Sequence, residues 1–172
     1  IYAFSPEIFH HIPPATFYDF GKNVFPELQQ AGEAFFGFEA GGAYWCDIGT
    51  ITEYRRASLD VVEGRFEVPG GGAIGIDPAA NVSASAQVLG NVLVRAGATI
   101  GEGAIVSGPS AIDAGVTIGE GARVERSIVW HGAQIGAGAR VIDSIVGANY
   151  EVAAGIALNN AVAANEEGAA AE

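Results

Sequence analysis

An aliphatic residue recurs every six positions along the second half of the chain. It is Val or Ile each time, at Ile76, Val82, Val88, Val94, Ile100, Val106, Ile112, Ile118 and Val124. A small residue often follows four positions later, as at Ala80, Ala98 and Ala104. An α-helix would need apolar spacings of 3 and 4, and a meander would need alternation between turns. A period of six instead predicts one short strand and one turn per unit, with three units closing one coil.

The repeat drops one residue at two places and then resumes at the same period. The segment 123–129 (RVERSIV) aligns with 140–146 (RVIDSIV), 17 residues later. About five coils fit into residues 74–163. We therefore predict a mainly β fold, a parallel β-helix whose stacked coils share a continuous inner ladder of Val and Ile.

Residues 1–66 have a different, α/β pattern. Strands are predicted at 1–4, 35–39 and 43–45, and a helix at 51–63 begins with a capping box formed by Thr50 and Glu53. These elements are too few to close a core, and the chain opens inside a strand-like run, so we expect 1–66 to be an incomplete part of a larger domain. Residues 67–73 are predicted to be a linker, 74–163 the β-helix and 164–172 an acidic tail.

The charge balance limits the possible partners. A formal net charge of −12 disfavours nucleic acid and anionic membranes. It does not exclude a phosphorylated substrate, because a divalent metal held by carboxylates reverses the local sign. The single cysteine, Cys46, excludes an intrachain disulfide and a cysteine-based zinc site. Without a long apolar run or a basic leader, no membrane association is predicted and a cytoplasmic location is expected.

The segment Tyr44–Trp45–Cys46–Asp47–Ile48–Gly49–Thr50 is the strongest candidate for chemistry. It delivers Asp47 from a strand end to a Gly–Thr helix start. A carboxylate in such a place can bind Mg²⁺ beside a phosphate, or it can accept hydrogen bonds from the turn backbone. Spacing alone favours the turn and leaves the metal site open.

Three segments resemble the nucleotide-sugar pyrophosphorylases. Residues 42–54 are similar to that family's "YWxD-hydrophobic-GT…Y" motif, 1–7 to "GIYxFSPE" and 19–26 to "DFGKDxxP". Many of these enzymes carry a hexapeptide-repeat β-helix after their last helix. The resemblance implies that 1–66 is the C-terminal part of a Rossmann-like nucleotidyltransferase domain. It also implies that the β-helix is left-handed.

The resemblance also implies roles for particular residues. Asp47 corresponds to one of two aspartates that hold the catalytic Mg²⁺, and Trp45 would line the side of the sugar phosphate. Lys22 would meet a phosphate, or it is simply an exposed helix lysine. The substrates would be a sugar-1-phosphate and a nucleoside triphosphate. The "DFGK" and "WCDIGT" segments favour mannose-1-phosphate with GTP, while glucose with ATP or dTTP remains open.

The family's glycine-rich nucleotide loop and its first metal aspartate do not occur in these 172 residues. Gly70–Gly71–Gly72 is no substitute, because no Lys, Arg or Ser/Thr follows it at the required spacing. We therefore predict that this chain alone is inactive and that its parent is an enzyme. The β-helix would serve assembly of a homo-oligomer or regulation, with exposed flat faces of Val and Ile marking the interface.

A hexapeptide-repeat acyltransferase is the alternative. In such enzymes a histidine deprotonates the acceptor at a groove between subunits. His131, at the slipped corner Trp130–His131–Gly132, is the only histidine of the repeat region. Otherwise His131 is a solvated turn residue.

Overall fold

The computed structural model describes residues 1–69 and 73–165. They form two compact units, one of residues Ile1–Ala43 and one that begins at Tyr44. Residues 70–72 of the predicted linker and 166–172 of the predicted tail lie outside the described residues. The domain boundaries predicted at 66 and 74 stay predictions.

The first unit is built from short helices. These are a 3₁₀ helix at Pro6–His11, a π-helix at Phe20–Val24 and the α-helix α1 at Phe25–Ala31. Asp19 caps the π-helix, since its Oδ1 accepts a 2.8 Å hydrogen bond from the Lys22 backbone N–H. Pro26 lies in the first turn of α1, where its missing N–H costs no helical hydrogen bond. Ile8, Val24 and Leu28 form a small core.

The strands predicted in the first 45 residues are not formed within the described part of the chain. A strand needs a partner for its backbone N–H and C=O groups, and these segments find none there. Their aromatic rings cluster instead: Phe25 lies 4.9 Å from Tyr2 and 4.8 Å from Phe35, between ring centroids. Phe36 and Phe38 remain exposed.

The second unit starts with an extended segment and the helix α2, Ile51–Val62. The Thr50 Oγ1 accepts a hydrogen bond of 3.2 Å from the Glu53 backbone N–H and donates one of 2.9 Å to the Glu53 carboxylate. The predicted helix start at Thr50 is therefore confirmed. After Glu63 the chain turns at Gly64, whose φ of 74° favours glycine.

Fifteen short strands follow in the described residues. They are β1 (Asn81–Val82), β2 (Gln87–Leu89), β3 (Val92–Val94), β4 (Thr99–Ile100), β5 (Ile105–Ser107), β6 (Ser110–Ile112), β7 (Thr117–Ile118), β8 (Arg123–Glu125), β9 (Ile128–Val129), β10 (Gln134–Ile135), β11 (Arg140–Ile142), β12 (Ile145–Val146), β13 (Glu151–Val152), β14 (Ala157–Asn159) and β15 (Val162–Ala163).

Every third strand belongs to the same parallel sheet. Sheet 1 has the order β1-β4-β7-β10-β13, sheet 2 the order β2-β5-β8-β11-β14 and sheet 3 the order β3-β6-β9-β12-β15. Three five-stranded sheets make a β-helix of about five coils, as the six-residue period predicted. The repeated Val and Ile point inward, and those of the middle coils are almost completely buried.

The register explains the dropped residues. Asn81 pairs with Thr99, 18 residues later, but Arg123 pairs with Arg140, only 17 later. The residue is lost at one corner, where Arg126, Asp143 and Asn160 adopt φ of 46°, 50° and 49°. The left-handed conformation replaces a longer turn at this shortened corner.

Sheet 3 is apolar on its outer face as well. The residues that precede the inner positions lie side by side on that face: Leu93, Ala111, Ile128, Ile145 and Val162. We call this row the outer ladder. Helix α2 contacts β6 and β9, and Ile128 is only 4% exposed whereas Val162, on the last coil, is 52% exposed. The helix thus covers the middle of the outer ladder.

In the part of the chain that the structure describes, no helix is long and apolar enough to cross a membrane.

Candidate functional site

The Tyr44–Thr50 segment is tethered at its start. The Tyr44 hydroxyl donates a hydrogen bond of 2.7 Å to Asp60 Oδ2, and its ring stacks on Phe66 with a centroid distance of 4.2 Å. The other Asp60 oxygen lies 3.1 Å from Arg65. The hydrogen bond to Asp60 raises the pKa of Tyr44 to about 12, because ionising the phenol would remove the donated proton.

The end of the segment is fixed by the helix. Thr50 is the N-cap of α2, and Cys46 Sγ lies 3.2 Å from Arg56 Nη2 on the same helix. Asp47 is held between these two points and is exposed. Cys46 and Thr50 thus connect the segment that carries Asp47 to α2.

Two carboxylates flank Gly49. A Cβ atom built on Gly49 would lie 3.9 Å from Asp47 Oδ2 and 3.7 Å from Glu53 Oε2. These are ordinary contact distances, so both carboxylates lie close to Gly49. Sequence reasoning gave Glu53 only a capping role, and its carboxylate beside Asp47 became apparent from the folded helix start.

The donor chemistry of this segment fits a hard divalent cation. Such ions prefer carboxylate and water oxygens, and Asp47 offers an exposed carboxylate. No group of three or more His, Cys, Asp or Glu side chains suited to a metal occurs among residues 1–69 and 73–165.

The other two predicted site residues are placed differently. Trp45, next to Asp47, is 75% exposed. Lys22 belongs to the first unit, in the π-helix, where its side chain is exposed. Trp45 and Asp47 are thus brought together, whereas Lys22 lies in the other unit.

Helix α2 is joined to the β-helix by two polar contacts. Trp130 Nε1 donates a hydrogen bond of 3.0 Å to Tyr54 Oη, and the two rings meet edge to face. Arg55 Nη1 lies 3.2 Å from Asp143 Oδ1. The same carboxylate accepts hydrogen bonds from Arg126 Nε at 3.0 Å and Nη2 at 2.8 Å. The Arg126 hydrogen bonds, with help from Arg55, hold the pKa of Asp143 below its usual value.

A cleft of about 400 Å³ lies where α2 crosses sheet 3. Tyr54 and Ser58 line it from the helix, and Asp113, Trp130 and His131 line it from the coils. His131 is exposed, and its imidazole forms no hydrogen bond among the described residues.

Comparison with known families covers most of the chain. Residues 1–64 match the model of the nucleotidyl transferase family, and residues 88–169 match the model of the GMPPB C-terminal domain. The first match includes the Asp47 segment and α2, and the second includes most of the β-helix. The chain fits a nucleotide-sugar pyrophosphorylase with a left-handed β-helix. This confirms the family predicted from the three motifs.

Two curated relatives carry sugar-1-phosphate nucleotidyltransferase names. Glucose-1-phosphate adenylyltransferase of Desulfitobacterium hafniense is 42% identical over 50 residues, which are 29% of this chain and 12% of the relative. UTP–glucose-1-phosphate uridylyltransferase of Synechocystis sp. is 34% identical over 89 residues, 47% of this chain and 23% of the relative. The chain spans less than a quarter of the length of either relative.

Among solved structures, a mutant of perosamine N-acetyltransferase from Caulobacter crescentus, in complex with CoA and GDP-perosamine, is similar with a TM-score of 0.45 and 21% sequence identity. The similarity covers 54% of this chain and 53% of the acetyltransferase chain.

Proposed function

We propose that this chain is part of an enzyme that transfers a nucleotidyl group from a nucleoside triphosphate to a sugar-1-phosphate. The products are an NDP-sugar and pyrophosphate. The Tyr44–Thr50 segment supports the proposal most directly. It lies within the nucleotidyl transferase match, and it presents an exposed Asp47 from a backbone tethered at both ends.

In this reaction an oxygen of the sugar-1-phosphate attacks the α-phosphorus of the triphosphate. The bond from that phosphorus to the bridging oxygen breaks, and pyrophosphate leaves with the electron pair. Alignment of the two phosphates and neutralisation of their charge are the main tasks of the protein. Mg²⁺, when bound, offsets the phosphate charge. Asp47, whose carboxylate is exposed, would hold that ion.

Trp45 and Lys22 are assigned to the substrates. The Trp45 ring is exposed beside Asp47, so it can lie against the sugar. Lys22 is exposed near the start of its helical segment, where it can reach a phosphate oxygen. Both assignments predict weaker substrate binding, seen as a higher KM, on substitution by Ala.

Pyrophosphate release by the full-length protein tests the function. We expect one pair of substrates to be turned over with Mg²⁺ and Asp47→Ala to lower the rate by several orders of magnitude. Asp77→Ala is the matched control, because Asp77 only accepts a backbone hydrogen bond from Ala79 in the first coil. Unchanged turnover in Asp47→Ala would return Asp47 to a turn residue and overturn the metal role.

The finer proposals concern specificity, assembly and location. A panel of sugar-1-phosphates and triphosphates distinguishes mannose-1-phosphate with GTP, which we favour, from glucose with ATP or dTTP. The 172-residue chain should release no pyrophosphate with any pair.

We propose a cytoplasmic homo-oligomer assembled or regulated through the β-helix, and light scattering of the full-length protein checks its mass.

A further inference from the structure

Helix α2 connects the candidate site to the β-helix. Its N-cap, Thr50, ends the segment that holds Asp47. One turn later, Tyr54 and Arg55 contact the β-helix at Trp130 and Asp143. A helix advances about 5.4 Å per turn, so these contacts lie about that distance from the end of the Tyr44–Thr50 segment. Any tilt of α2 at Tyr54 therefore moves Thr50 and the segment before it.

The two contacts differ in chemistry and support each other. The Trp130–Tyr54 bond fixes one edge of the helix at a single donor and acceptor. Asp143 is fixed more firmly, because Arg126 binds it through two nitrogens before Arg55 adds a third contact. A carboxylate already oriented by a bidentate guanidinium loses little freedom when it binds a second arginine. It is thus a preorganised anchor for α2.

We propose that Trp130 and Asp143 are positioning residues, which act through α2 to hold Asp47 in the geometry needed for nucleotidyl transfer. This inference rests on the proposed function. It assigns the β-helix a direct part in the reaction besides assembly. Displacements of about 1 Å at a reacting centre can lower the rate by about 100-fold, so loss of either anchor should be measurable.

Conservative variants of the full-length protein test the inference. Trp130→Phe and Tyr54→Phe each remove the hydrogen bond and keep a ring, and Asp143→Asn removes the charge without changing the shape. We expect kcat to fall about 10-fold in each variant, because loss of one contact should displace Asp47 by less than the 1 Å that lowers the rate about 100-fold. The KM values should change little. The double variant Tyr54→Phe/Trp130→Phe should be no worse than either single variant, because both remove the same bond.

A second readout needs no turnover. Mn²⁺ binding, followed by electron paramagnetic resonance in the absence of substrates, should weaken several-fold in the same variants. Glu125→Gln is the matched control: Glu125 also pairs with Arg126, but among the described residues no hydrogen bond or ion pair joins it to α2. Circular dichroism and thermal unfolding verify that every variant is folded.

The outcomes separate the inference from the function on which it rests. If Asp47→Ala abolishes turnover while the Trp130 and Asp143 variants match wild type in kcat and Mn²⁺ affinity, the positioning role is wrong and the function stands. If Asp47→Ala changes neither quantity, the metal role of Asp47 and the positioning role are both wrong. The function itself fails only if the wild-type protein turns over no pair of substrates. Equal losses in Glu125→Gln and Asp143→Asn would also overturn the positioning role. They would show that any change to the ion pairs of Arg126 lowers the activity, whether or not the residue contacts α2.

Discussion

At the scale of single residues, buried serines form a hydrogen-bonded column inside the shortened corner. Ser110, Ser127 and Ser144 are completely buried. The Ser127 hydroxyl donates to Glu125 O at 2.7 Å and accepts from the Ser144 N–H at 3.0 Å, and the Ser144 hydroxyl accepts from Ala161 N at 3.1 Å. Each hydroxyl therefore satisfies a backbone N–H of the next coil that no strand can pair.

We predict that Ser127→Ala destabilises the chain. The substitution leaves the buried Ser144 N–H without an acceptor, which costs about 1–3 kcal/mol in the free energy of unfolding. Urea denaturation followed by circular dichroism measures the change. Ser85→Ala is the matched control: its hydroxyl also accepts from a backbone N–H of the next coil, that of Gly103 at 3.1 Å, but it is exposed. Water can replace that hydroxyl, so equal losses in both variants would contradict the explanation.

At the scale of secondary-structure elements, the packing of α2 on sheet 3 is a contact that the six-residue repeat does not predict. Ile128 lies on the outer ladder beneath the helix and is nearly as buried as the inner residues. We predict that Ile128→Ala lowers the free energy of unfolding by about 2–5 kcal/mol, the range for a buried aliphatic side chain cut to Ala. Ile156→Ala is the control, since Ile156 is 48% exposed on the last coil. Similar costs at the two positions would mean that α2 does not bury the ladder in solution.

The elements also show how much the sequence could predict. The period of six predicted the inner ladder, because every inner position follows one geometric rule. The outer ladder has its own signature, the doubled aliphatics Ile128–Val129 and Ile145–Val146, which are typical of a strand buried on both faces. We expected such outer faces to mark an interface between protomers, but α2 of the same chain covers the middle of this one. Neither the six-residue period nor the doubled aliphatic residues predict which helix covers a sheet.

The candidate site was less accessible to prediction than the fold. Asp47 could be found because its motif is contiguous, and Thr50 because a helix cap is a local feature. The Trp130–Tyr54 contact joins residues 76 positions apart, and no spacing rule connects them. The strands predicted near Tyr2 and Phe36 had the right composition but no partner among the described residues. Local patterns predict local structure, and pairing depends on the rest of the fold.

At the scale of the whole molecule, the outer ladder determines where the chain can be divided. The second compact unit begins at Tyr44, so a chain that starts there keeps both α2 and the β-helix. A chain that starts at Glu67 loses α2 and leaves Ala111, Ile128 and Ile145 uncovered on a flat sheet face. Exposed apolar faces of this kind associate. The net charge of this shorter chain, −7 from 11 Asp and Glu against 4 Arg, opposes association only weakly in physiological salt, where repulsion is screened beyond about 8 Å.

We therefore predict that the chain starting at Tyr44 has the same state of association as the 172-residue chain, whereas the chain starting at Glu67 forms larger species and binds a hydrophobic dye. Size-exclusion chromatography with light scattering measures the masses. Introducing Ile128→Lys and Ile145→Lys into the shorter chain should reverse the association, because two charges then interrupt the apolar face. If the two truncated chains contain the same number of protomers per particle and bind the dye equally, the outer ladder does not need α2. The helix would then serve the candidate site alone.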